Sequence, residues 1–112
     1  SKKIIEKLYA EGNSVKCFPL RMMYLQTEHT SNFPAQAGVS VPKRNFKNAV
    51  DRNRIKRLMR QAYRTSKSLF LIKLQEDNKA LALMFIYNKN KIVEAKEIEN
   101  AVKALLQKLS LI

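Results

Sequence analysis

Lys43–Arg64, KRNFKNAVDRNRIKRLMRQAYR, is the stretch from which the rest of the chain can be read. It holds nine of the chain's 22 basic residues and a single acid, Asp51. Asn48 suits a helix N-cap, and Asp51, three positions on, suits a capping-box partner near the positive end of the helix dipole. At about 100° per residue the stretch sorts into two faces. Ile55, Leu58, Met59, Ala62 and Tyr63 share one. Arg52, Asn53, Lys56, Arg57, Arg60 and Arg64 share the other, with Arg54 at the boundary. The apolar face must bury in a core, which leaves five cations fixed along roughly 20 Å of helix. Like charges four residues apart (Arg52/Lys56, Lys56/Arg60, Arg60/Arg64) cost about 0.2–0.5 kcal/mol per pair. A solvated charged face normally mixes Glu with Lys. An unmixed, arginine-heavy face instead suits a polyanion that removes the repulsion.

Composition points the same way. The 112 residues carry a net charge of +13, and the pI is near 10.1. The length fits one domain, residues 1–112. The longest apolar run, Ala80–Tyr87, is far too short to span a bilayer and suits a buried strand. No signal peptide is visible. One cysteine, Cys17, rules out an internal disulfide framework and fits a reducing cytoplasm. Protein-side catalysis is not expected. One Cys and one His, His29, form no nucleophile–base pair in the sequence. The nine acids show no metal-ligand spacing, and two glycines are too few for a phosphate cradle. The reading is a binder with no catalytic and no metal-ligating residue of its own.

Taken in order, Ser1–Glu11 predicts a helix capped by Ser1, striped by Ile4, Ile5, Leu8 and Tyr9 and ended by Gly12. Val15–Leu25 predicts a strand or a pair of short ones. Phe18, Leu20, Met22 and Tyr24 alternate there with a mixed set, Pro19, Arg21, Met23 and Leu25, so the second face is only half buried. Thr27–Pro34, with His29, reads as a polar loop. Gln36–Val41 predicts a strand and Pro42–Lys47 a basic loop. The basic helix should run to about Ser68, with Leu69–Leu74 helical or irregular and Glu76–Lys79 a turn. Ala80–Tyr87 predicts a central strand covered on both faces. Glu94–Leu109 predicts an amphipathic helix with Ile98, Ala101, Val102, Leu105 and Leu109 on its core side. The order α-β-β-α-β-α, with the second strand region open to division in two, implies an α+β or α/β two-layer sandwich.

The run from Asn48 to Arg64 resembles the signature helix of the bacterial ribonuclease P protein subunit, including that family's RNR motif at Arg52-Asn53-Arg54. Gly38–Arg44 is similar to the strand leading into it, and weaker resemblance covers nearly the whole chain. The resemblance implies a left-handed β-α-β crossover around the basic helix. It implies a protein that binds the catalytic ribonuclease P RNA and the 5′ leader of precursor tRNA, while the RNA carries the active site and hydrolyses a phosphodiester with Mg2+. Arg52, Asn53, Arg54, Lys56, Arg57 and Arg60 match the motif and are the expected RNA contacts. Lys43, Arg44, Asn48 and Arg64 extend the patch. A leader-binding cleft is implied at Tyr9, which matches an aromatic position, at Ile5, which matches another but is aliphatic, and at Arg21 and Met23. Tyr24 lies one residue out of step with a tyrosine common in the family. The basic loop carries an extra residue near Phe46, which either stacks on a base or staples the start of the helix, and the staple is preferred. No protein partner and no membrane are implied.

Two other readings use the same residues. A structural, ribosomal-type RNA-binding protein would carry a similar basic helix without a role in tRNA processing. A DNA-binding regulator would place the helix in a major groove, but a strand rather than a short helix precedes it here. A membrane-surface helix ranks behind both, because the apolar face of the basic helix lacks Trp and Phe.

Overall fold

The computed structural model describes residues 2–27, 35–77 and 79–110, with side chains from Glu6 to Leu109 within those ranges. Ser1 as a cap, the side chains of Ile4 and Ile5, and the loop bearing His29 lie outside the described residues. Eight elements follow one another: α1 Lys2–Glu11, β1 Asn13–Cys17, β2 Leu20–Thr27, β3 Ala35–Ser40, α2 Ala49–Ser66, α3 Ser68–Glu76, β4 Ala80–Tyr87 and α4 Ala95–Ser110. Val15–Leu25 takes the second of its two expected forms, a pair of strands, and folds as the hairpin β1–β2 around a Phe18–Pro19 turn with a cis peptide bond. One boundary differs from expectation. The basic helix stops at Ser66, and 69–74 belongs to a separate helix. In the last turn the Thr65 hydroxyl donates to the carbonyls of Gln61 and Ala62 at 3.2 and 3.1 Å, back-bonding of the kind that often bends helices. Helix α3 buries Phe70 and Leu74.

The four strands form one sheet in the order β1-β2-β4-β3. β4 is central, antiparallel to β2 and parallel to β3. Its sequence ALALMFIY is apolar throughout because both its faces are covered. A parallel pair needs a crossover, and α2 with α3 supplies it between β3 and β4.

One sheet face carries Leu20, Met22, Leu83, Phe85 and Tyr87. It packs against Ile55, Met59 and Ala62 of α2 and Ile98, Ala101, Val102, Leu105 and Leu109 of α4. Burying each such large apolar side chain contributes roughly 1.5–3 kcal/mol. Phe46 packs beside this core with its ring 5.8 Å from that of Tyr87, so the ring that leads into α2 is turned to the core. Tyr24 also turns to this side, half-buried.

The opposite face carries Met23 and Met84, and among the described residues α1 covers it by seating Leu8 on both. Helix α1 ends where it must. The Gly12 amide donates to the Leu8 carbonyl at 2.9 Å, and a Cβ at Gly12 would sit 2.3 Å from that oxygen.

Candidate nucleic-acid interface

The amphipathic pattern of α2 orients its cations. With Ile55, Met59 and Ala62 buried, the far side of the helix faces solvent. Asn53, Arg57, Arg60 and Arg64 are all exposed and, with Gln61, line one shallow open concavity. Their spacing places them in a single stripe over about 16 Å of helix axis. Among the described residues none of these arginine side chains forms an ion pair or an intramolecular hydrogen bond; the ion pair Lys103–Glu99, at 3.0 Å, lies on α4. Lys103 holds the Glu99 carboxyl below its ordinary range, chiefly through that hydrogen bond. The guanidinium forks of Arg57, Arg60 and Arg64 therefore keep their donors for anionic partners that accept two hydrogen bonds at once, such as phosphate. Arg54 is exposed at the border of the stripe, Lys56 is half-buried, and Lys43 and Arg44 are exposed in the preceding loop.

Two of the expected contacts have internal work. Asn48 is the N-cap, and its side-chain oxygen accepts the Val50 amide at 2.9 Å. No hydrogen bond from Asp51 closes a capping box among the described residues, so Asp51 acts in the first turn through its charge. Arg52 is half-buried, and its Nη1 donates to the carbonyls of Phe46 at 2.6 Å and Lys47 at 2.9 Å. It pins the basic loop to the helix. The sequence placed Arg52 with the open cations because helical periodicity reports a direction and not what the preceding loop folds back to meet.

The sheet face under α1 forms the second candidate surface. Paired residues of adjacent strands point the same way. Lys16 pairs with Arg21, Arg21 with Ile86, and Ile86 with Ser40, so these four make one row across the sheet. The neighbouring row is Ser14, Met23, Met84 and Gly38. A Cβ at Gly38 would lie 3.1 Å from Met84 Cε, so that row closes tightly at its edge. Met23 does face this side, yet it is only 6% exposed, packed with Leu8 and its cross-strand partner Met84, and forms a floor, not an open contact. Tyr9, one residue past the buried Leu8, is 50% exposed and offers its ring to solvent. The side chain of Ile5 lies outside the described residues. Arg21 is half-buried, with Nη2 3.5 Å from Ser14 Oγ and a buried Nε that has no hydrogen-bond partner. Lys16 joins this row as a basic residue that sequence reasoning passed over. Its signal was the hairpin register, which depends on where the two-residue turn falls.

Cys17 is half-buried against the helix-covered core. No group of three or more His, Cys, Asp or Glu suited to a metal ion occurs among the described residues, and no described helix is long and apolar enough to cross a membrane. The chain matches the Ribonuclease P family model over residues 1–110. It is 34% identical over 107 residues to the ribonuclease P protein component of Porphyromonas gingivalis, an alignment covering 95% of this chain and 77% of that one. A second relative, the ribonuclease P protein component of Chlorobaculum tepidum, is 33% identical over 93 residues, covering 77% of this chain and 60% of that one. The fold is shared with the RNase P protein of Staphylococcus aureus, at a TM-score of 0.76 and 24% identity over 97% of this chain and 91% of that one. It is shared also with the RNase P protein of Thermotoga maritima, at a TM-score of 0.75 and 17% identity over 96% and 92%. The basic helix, the mixed four-stranded sheet that carries it and these likenesses agree, and the chain belongs to the ribonuclease P protein family.

Proposed function

We propose that this protein binds the RNA subunit of ribonuclease P through the exposed cations of α2 and receives the 5′ leader of precursor tRNA on the sheet face beside α1. The observation that carries the reading is the stripe Asn53, Arg57, Arg60 and Arg64, exposed and without an acidic partner among the described residues. Arginine forks suit RNA phosphates, and Asn53 suits a phosphate or a ribose 2′-hydroxyl. The row Lys16, Arg21, Ile86 and Ser40 offers cations for the backbone phosphates and a little apolar surface, and the Tyr9 ring can stack on any base. Such a surface suits leaders of any sequence. The described residues bring together no nucleophile–base pair, so we assign hydrolysis of the phosphodiester to the RNA, with the Mg2+ it requires held by RNA oxygens. Work in the cytoplasm fits the single reduced thiol.

The test is cleavage of a 5′-extended precursor tRNA by a bacterial ribonuclease P RNA at low Mg2+, with and without the protein. Strong stimulation is expected, and Arg57→Ala combined with Arg60→Ala should abolish most of it. The same pair should flatten the log–log salt dependence of RNA binding by roughly 0.7–0.9 for each phosphate that the chain no longer neutralises. Tight RNA binding without stimulation would instead indicate a structural RNA-binding protein.

A further inference from the structure

The turn between β1 and β2 carries an aromatic that the fold does not use. Phe18 is 61% exposed and belongs to neither hydrophobic cluster. Lys89, just past the end of β4, places Nζ over the Phe18 ring, 4.0 Å from its centroid. The two segments are tied together, because the Asn88 amide donates to the Pro19 carbonyl at 2.9 Å and Pro19 itself is buried. Phe18 and Lys89 are thus held as one unit at the end of the sheet. The surroundings are basic. Residues 88–92, Asn-Lys-Asn-Lys-Ile, contain two lysines and no acid, and Lys16 and Arg21 pair across the hairpin just before and after the turn.

We propose that Phe18 and Lys89 form a stacking platform for one nucleobase of a single-stranded RNA segment, the ring taking the base and the ammonium the adjacent phosphate. A cation over one face of an exposed ring contributes about 0.5–1 kcal/mol and fixes the ring's orientation before any ligand arrives. A ring held this way keeps a face for a base, and stacking there is sequence-tolerant because every base presents a π-face. The site is separate from the arginine stripe of α2 and lies at the hairpin turn that follows the Lys16–Arg21 pair. It rests on the RNA-binding reading for its class of ligand, and it fits RNA rather than an apolar partner because cations surround the exposed ring.

The chain contains no tryptophan, so Phe18→Trp introduces a single indole at the platform. This variant is titrated with a mixed-sequence single-stranded RNA heptamer and with an abasic heptamer of equal phosphate count. Saturable quenching by the first and none by the second is expected. Phe18→Ala and Phe18→Leu should each weaken binding of the base-bearing heptamer by about 5- to 140-fold and leave the abasic one unchanged. Lys89→Ala should weaken both. Unchanged urea midpoints for the Phe18 variants confirm that the fold is intact, as their exposure requires. Wild-type affinity in Phe18→Ala, or equal quenching by both heptamers, overturns the platform alone. Failure of any RNA to bind the wild-type chain overturns the RNA-binding reading with it.

Discussion

Replacing Arg52 with alanine separates a cation that builds the interface from the cations that present it. The Arg52 guanidinium donates two hydrogen bonds from Nη1, to Phe46 O at 2.6 Å and Lys47 O at 2.9 Å. Hydrogen bonds from charged donors contribute about 1.5–3 kcal/mol each. Both come from one nitrogen of a half-exposed group, and water can reach Lys47 O once the guanidinium is gone, so the pair is worth nearer 2 kcal/mol than 5. Relief of the repulsion with Lys56 returns about 0.2–0.5 kcal/mol. The net loss is about 1.5–2 kcal/mol, which lowers the urea midpoint by roughly 1 M at a typical slope of about 1–3 kcal/mol per M. Arg57→Ala, which removes an exposed side chain without a partner, should stay within about 0.5 kcal/mol of the wild type. Equilibrium urea unfolding followed by circular dichroism, without RNA, measures both. Equal midpoints for the two variants would refute the claim that Arg52 pins the basic loop.

Tyr87→Phe should destabilise the chain by about 1–3 kcal/mol, because the phenol oxygen accepts the Val93 amide at 3.0 Å and donates to Lys91 O at 2.6 Å. Faster hydrogen exchange at Val93 is the local check. Leu8→Ala should cost about 2–5 kcal/mol in urea unfolding, since Leu8 is 1% exposed and is the described α1 side chain seated on Met23 and Met84. Burial raises the phenols of Tyr63 and Tyr87 above their ordinary 10.0, although for Tyr87 the Val93 amide opposes the shift. The folded chain therefore holds these protons more tightly than the unfolded chain. The stability this contributes is intact below pH 10 and is lost as pH rises from 10 through the folded values. Tyrosinate absorbance should lose a late-titrating component in Tyr63→Phe and again in Tyr87→Phe.

Much of this chain was settled by local pattern. The basic helix, its Asn48 cap and its buried Ile55–Met59–Ala62 side follow from a 3.6-residue period that tertiary context did not override. The central place of Ala80–Tyr87 follows as well, because only a strand covered on both faces is apolar at every position. The division of the long helical stretch near Lys67 was less legible. It goes with Thr65 bonding back to its own helix and with where Phe70 and Leu74 find a core.

By itself, then, the sequence determined which helix is basic, which of its sides is buried and which strand is central, since each is a property of contiguous residues. Tertiary structure alone decided which cations are free. Arg52 and Arg57 look alike in a helical projection, but the loop before α2 returns its carbonyls to Arg52 and to no other arginine of the helix among the described residues. It also decided that Lys16, Arg21 and Ser40 share a row, that Met23 is floored under Leu8, and that Phe18 meets Lys89. These meetings join residues far apart in the chain through strand register and turn placement, which no local periodicity encodes.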